Sequence, residues 1–323
     1  MRLHEQALAQ LRERVGEAHP STALRLAAIA TVQRKLGELT LARANFDRAV
    51  AILAAIDPQH ADLAAIYNNR AVVELFVGDY PAAQRDFEAA LEDRRARSHG
   101  TDPLLPALEG NLAMVVFAQG NALRALSLHQ RSLAGTIAIY GEQNLDVANA
   151  LANIGDVLSE LQLHDQAESY YRRTLEIRTQ VVGVDHPDTA RTRCNLGGTA
   201  LAQSRPQDAL EQYQLCLDGY VRVFGSGHAQ LAMPEAGLGE ARLAMGLVDA
   251  GIDHLRRARA LVGDDAALER ARIDSALARA IGRTDVTQGR ELLRAALIEF
   301  ERHGALAQRD AAEARRWLRE HGG

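Results

Sequence analysis

The sequence predicts an all-α protein of stacked helix pairs, and two observations carry that prediction. First, small residues recur at a fixed spacing along almost the whole chain. One turn position carries Gly37, Gly78, Gly120, Gln162, Ser204 and Gly246, a first interval of 41 residues followed by four of 42. Five residues later stand Ala42, Ala83, Ala125, Ala167, Ala209 and Gly251, and seven beyond those Ala49, Ala90, Ser132, Thr174, Cys216 and Ala258. Seven before the turn lie Ala30, Ala71, Ala113, Gly155, Gly197 and Gly239. Such a period marks supersecondary units that cannot bury their apolar faces alone and therefore stack. Second, the chain is 47% hydrophobic but only 4% aromatic, which suits helices packed closely through alanine and disfavours sheet.

Taken in chain order, residues 1–18 read as a half repeat. Ala7 lies 42 residues before Ala49, so this is a second helix without its first. Its apolar strip of Leu3, Leu8, Leu11 and Val15 is expected to be covered by a preceding segment or a second chain. Residues 19–265 form six repeats, opening at His19-Pro20, His60-Ala61, Asp102-Pro103, Asn144-Leu145, His186-Pro187 and His228-Ala229. The fifth shows the logic. Pro187 suits the first helical position, where its missing N–H costs nothing, and Asp188 faces the positive end of the helix dipole. A first helix to about Gln203 and a second over about 206–224 follow, with Gly225 and Gly227 expected to end the pair in the positive-φ region. Residues 266–304 make a degenerate seventh pair, with Gly289 and Ala296 at the small positions. Residues 305–323, which carry Trp317 and a charged outer face, form a capping helix.

These residues resemble the tetratricopeptide repeat. Ala71, Ala83 and Ala90 match its small-residue pattern, with Tyr80 and Phe87 at its aromatic positions. The 42-residue length, the His-Pro openings and the run Tyr67-Asn68-Asn69 are similar to the kinesin light chain type. The resemblance implies a right-handed superhelix, an α-solenoid of about seven helix pairs with an N-terminal half repeat and a C-terminal capping helix. The ending, from Arg290-Glu291-Leu292-Leu293 to Arg315-Arg316-Trp317-Leu318, resembles the repeat tails of large bacterial serine/threonine protein kinases. That implies a regulatory or self-association tail whose catalytic domain is not in this chain, because no kinase motif occurs in it.

The same resemblance places the first helix of each pair on a concave surface, where Asn69, Asn111, Asn153 and Asn195 recur every 42 residues. Asparagine is a mediocre helix former, so four in phase need a reason. An amide can pair with the backbone of an extended peptide. It can equally form a ladder between neighbouring repeats. In the kinesin light chain family matching asparagines contact cargo peptides, which implies peptide binding at these four. Val72, Phe76, Met114 and Phe117 are expected to make an apolar patch for an anchor side chain. Asp156, Glu160 and Glu240 turn the later part acidic, tempered by Arg191.

Composition excludes other classes. A net charge of −5 with interspersed signs, and no continuous basic face with aromatic side chains, argues against nucleic acid. No apolar run approaches the roughly 18 residues of a membrane span. The in-phase histidines lie on the order of 10 Å apart in neighbouring helices, too far to share a metal, and no cofactor is expected. No catalytic spacing occurs, so the chain is expected not to be an enzyme. Lys35 is the only lysine, a bias of GC-rich bacterial coding, and a cytoplasmic location is expected. Cys194 and Cys216, the only cysteines, are expected to pack as free, small apolar groups rather than to bridge.

Overall fold

The computed structural model of the protein describes residues 2–98, 102–263 and 266–322; the expected boundary at residue 265 falls outside them. Local chemistry starts each repeat. At His19, His60, Asp102, Asn144, His186 and His228 a side-chain acceptor takes the backbone N–H two residues on, at 3.1, 3.3, 2.9, 2.7, 3.2 and 3.2 Å. Each such bond satisfies a donor that a helix start leaves open. The in-phase turn positions end the first helices: Gly37, Gly78, Gly120, Gln162, Ser204 and Gly246 all have φ between 59° and 84°. The next residue then donates its N–H to the carbonyl five residues earlier, from Glu38 onto Gln33 through to Leu247 onto Arg242. Gln162 and Ser204 are the only non-glycine residues with positive φ among the described residues, and each carries about 1 kcal/mol of strain there.

The helices gather into two compact units, residues 1–142 and 143–323. In the first, α1 (Arg2–Val15) packs on α2 (Pro20–Lys35), which pairs with α3 (Leu39–Ile56). There α4 (Leu63–Val77) pairs with α5 (Tyr80–Arg97), and α6 (Leu104–Ala118) with α7 (Ala122–Tyr140). The second unit pairs α8 (Leu145–Glu160) with α9 (His164–Val181) and α10 (Pro187–Ala202) with α11 (Pro206–Phe224). It also pairs α12 (Ala232–Ala244) with α13 (Val248–Leu261) and α14 (Ala267–Ile281) with α15 (Val286–Arg302), on which α16 (Gln308–Glu320) closes. No strand occurs among the described residues. The pairs are therefore seven, flanked by α1 and α16.

The slim positions lie where the helices meet. All eighteen alanine, glycine, serine, threonine and cysteine residues of the three periodic series 30, 42 and 49 are buried. Their reason is steric: a Cβ built on Gly155 would lie 2.6 Å from the ring of Tyr171, and one on Gly197 2.8 Å from that of Tyr213. Where a hydroxyl replaces alanine it is satisfied, Ser132 Oγ donating to Pro106 O at 2.7 Å and Thr174 Oγ1 to Tyr170 O at 2.9 Å. A fourth periodic position on the second helices holds larger side chains, Phe46, Phe87, His129, Tyr171, Tyr213 and Leu255, all buried. His129 is the exception in kind: burial pushes its imidazole down to about 4.

At the ends, Leu8 is buried against the first pair while Leu3 and Val15 of α1 stay exposed. On α16, Ala311, Ala314 and Leu318 bury against Phe300 and Ala271, and the Trp317 ring fills the space beside Gly282. Gly225 has the expected positive φ, of 81°, whereas Gly227 does not and so plays no part in ending α11. The reading of the cysteines as free thiols is overturned: Cys194 of α10 and Cys216 of α11 form a disulfide. Both occupy crossing positions of one helix pair, which brings their Cα atoms to 5.5 Å, a separation that a bridge spans.

Candidate functional site

In the second unit, register brings the first helices α8, α10 and α12 together around a depression of about 440 Å³. Asn149, Arg191 and Met233 stand 42 residues apart and line it from the three helices; Asn153 and Asn195, also 42 apart, line it from two. Asp156 of α8, Asp188 of α10 and Arg178 of α9 complete its wall. Of the expected site residues, the fold thus gathers Asn153, Asn195, Asp156 and Arg191 in one place.

Their bonding separates two roles for asparagine. Asn195 donates through Nδ2 to Asp156 Oδ1 at 3.2 Å, across from one repeat to the one before, which is the ladder role. Asn111 does the same in the first unit, donating to Asn68 Oδ1 at 3.3 Å. The amides of Asn69 and Asn153 bond to nothing among the described residues, and Asn153 is half-buried in the depression. It presents two donors and one acceptor to whatever enters.

Arg178 was missed by sequence reasoning. It is 2% exposed, and its nitrogens donate only to neutral acceptors: Nη1 to Asp188 O at 2.9 Å and Thr192 Oγ1 at 2.8 Å, Nη2 to Asn149 Oδ1 at 2.8 Å. Burial, then repulsion from Arg191, lowers its pKa. Its one side chain ties α9 to α8 and α10 and holds the Asn149 amide in place. The same register position holds Leu53, Thr136, Tyr220 and Val262, all buried, but also Arg94, which is half-buried and paired with Asp102; what sets Arg178 apart is its burial without a carboxylate partner.

Asp156 is held differently. The Tyr171 hydroxyl donates to its Oδ1 at 2.7 Å. More than a third of its surface is open, yet the surrounding helices withdraw enough water to raise its pKa, against the lowering from Tyr171 and the two arginines. Arg191 is exposed and pairs with Asp188 at 3.1 Å. In the first unit, Asn69, Val72 and Phe76 stand on α4 and Asn111, Met114 and Phe117 on α6. Val72 and Met114 share a register position; Phe76 and Met114 are exposed, whereas Val72 and Phe117 are half-buried. Phe117 falls in the register of Leu75 rather than that of Phe76, so the four do not form one row. No three metal-binding side chains cluster among the described residues, and no described helix is long and apolar enough to cross a membrane.

The sequence pattern of the tetratricopeptide repeat matches residues 22–96, 104–180 and 153–220, together more than half of the chain. No curated protein sequence matches it significantly. Among solved structures, BtubC from P. vanneervenii is 20% identical, with a TM-score of 0.57 over 71% of this chain and 90% of that one. A putative kinesin light chain from Podosopora anserina is 16% identical, with a TM-score of 0.53 over 60% and 92%. The apo form of RapI is 14% identical, with a TM-score of 0.68 over 92% and 99%. At these identities the likeness is one of fold. Repeat pattern, helix pairing and register agree, and the chain belongs to the tetratricopeptide repeat family.

Proposed function

We propose that the chain is a non-catalytic protein-interaction scaffold whose first-helix face holds an extended peptide or partner segment. One observation carries this: the unbonded amide of Asn153 stands in a polar depression framed by in-phase helices, where it can meet a peptide N–H and C=O at once. Asn195 and Arg191 border the same space. In the first unit the unbonded amide of Asn69 stands on α4 with Val72 and Phe76, and Asn111, which bonds Asn68, stands on α6 with Met114 and Phe117, giving amide and apolar groups for a peptide segment. Affinity is modest, because an extended peptide loses conformational entropy on binding. Selection of a randomised displayed peptide library on the whole chain tests the reading. Asn153→Ala is expected to weaken the recovered peptides at unchanged melting temperature; equal affinity removes the amide from the account.

A second reading is a regulatory or self-association tail of a kinase-like protein, which the exposed Leu3 and Val15 on α1 favour as an apolar strip for a partner. Concentration-dependent association in sedimentation that Leu3→Asp abolishes supports it; a monomer at all concentrations counts against self-association. A bacterial cytoplasmic location goes with either reading. Disulfides are rare in reducing compartments, so thiol counting in freshly lysed source cells checks it.

A further inference from the structure

In the depression of the second unit the carboxylate of Asp156 makes no ion pair, and Arg178 and Arg191 act on it only through space. Asp156 Oδ1 is committed to the Tyr171 hydroxyl at 2.7 Å and to Asn195 Nδ2 at 3.2 Å, both neutral donors. Its Oδ2 accepts nothing, and no arginine, lysine or histidine pairs with it among the described residues. Nearby acids do pair: Asp188 with Arg191 at 3.1 Å, Glu168 with Arg172 at 2.6 Å. The two arginines of the depression are directed elsewhere, Arg178 into three neutral acceptors and Arg191 onto Asp188.

The obvious alternative is that Asp156 exists to satisfy the Tyr171 hydroxyl. The next repeat argues against it. Tyr213, buried at the same register position, faces Gly198 where Tyr171 faces Asp156; Glu240, next in that register, acts on it only through space, so the fold seats this aromatic without an acid bonded to its hydroxyl. Val72 and Met114 hold the same position in the first unit. The carboxylate is therefore not a requirement of the repeat. Fixed through one oxygen and open at the other, beside the free Asn153 amide, it matches a donor that carries positive charge.

We propose that a lysine or arginine side chain of the bound peptide pairs with Asp156 Oδ2 while Asn153 bonds the peptide backbone beside it. This rests on the peptide reading above and adds the charge of the residue read. The test uses the full chain with its disulfide intact. Peptides recovered from the randomised displayed library are expected to share a lysine or arginine at a fixed spacing from their other common residues. Asp156→Asn keeps an acceptor for Tyr171 but removes the charge. A labelled recovered peptide is expected to bind it roughly tenfold or more weaker by fluorescence anisotropy, the size of a charged hydrogen bond. The same peptide with norleucine in place of its cation is expected to lose as much on the unmodified chain, which keeps the test decisive if the variant misfolds. Recovered peptides without a common cation, or equal binding by Asp156→Asn or by the norleucine peptide, overturn the proposal. Recovery of no peptide overturns the peptide reading and this proposal with it.

Discussion

Tyr213 sits between two glycines, and replacing the outer one asks directly whether helix approach is what the slim positions are for. A Cβ on Gly237 of α12 would lie 2.3 Å from Tyr213 Cε1 and Cζ. The ring cannot retreat, because a Cβ on Gly197 of α10 would meet its other side at 2.8 Å. Two terms oppose each other in Gly237→Ala. Helix propensity favours alanine by about 1 kcal/mol. Overpacking a closed site costs about 1–3 kcal/mol, and the shortness of this contact puts it at the upper end. The net expectation is a loss of about 2 kcal/mol, read by urea unfolding followed by circular dichroism. In a Tyr213→Leu background the obstruction is gone, so the same glycine replacement is expected to be neutral or stabilising by up to about 1 kcal/mol. The two changes are therefore coupled by roughly 2–3 kcal/mol, within the range seen for touching residues. A stabilising Gly237→Ala in the unmodified chain, or the same cost in both backgrounds, refutes the steric reasoning.

Three other outcomes follow from single sites. His129 is held neutral by burial, with its imidazole at about 4 against an ordinary value of 6.5, so the folded state binds fewer protons than the unfolded one as pH falls. Stability is expected to decline from pH 6.5 towards 4, by roughly 3 kcal/mol over the window, and His129→Phe, the residue of Phe46 and Phe87 in register, is expected to abolish that part of the acid sensitivity in pH-dependent unfolding. Removing the Cys194–Cys216 bridge, by Cys194→Ala with Cys216→Ala, releases a loop of sequence separation 22 and is expected to cost about 3 kcal/mol, read as a midpoint shift in urea; no shift would mean that the thiols are not joined in solution. Gln162→Gly and Ser204→Gly relieve left-handed strain at φ 60° and 59°, and each is expected to raise stability by about 1 kcal/mol in thermal melts.

The repeat was legible because steric and capping requirements act within a few residues of each other and recur. His186 could be assigned to a helix start from its neighbours Pro187 and Asp188, and Nδ1 does take the Asp188 N–H. Even Gln162 and Ser204, the wrong residue types for a left-handed turn, could be placed by phase. The candidate site was legible in part. The register of Asn153 and Asn195 put them together, but register says nothing of bonding, and only the coordinates separate the ladder amides of Asn111 and Asn195 from the unbonded amide of Asn153. Arg178 escaped because it lies on a second helix, and attention to the first helices passed over it. The disulfide escaped for a different reason. Cys194 and Cys216 were recognised as slim residues at one helix crossing, but slimness alone does not distinguish two packed thiols from a bond; the 5.5 Å between their Cα atoms does.

Hydrogen–deuterium exchange of the whole chain, with and without a peptide recovered by selection, tests the central claim most directly. The account predicts added protection on α8 around 149–156 and on α10 around 191–195, with α9 and α11 unchanged along their outer faces. Protection confined to α9 and α11 would contradict it, because the partner would then sit on the second helices and the in-phase asparagines would have only a structural part.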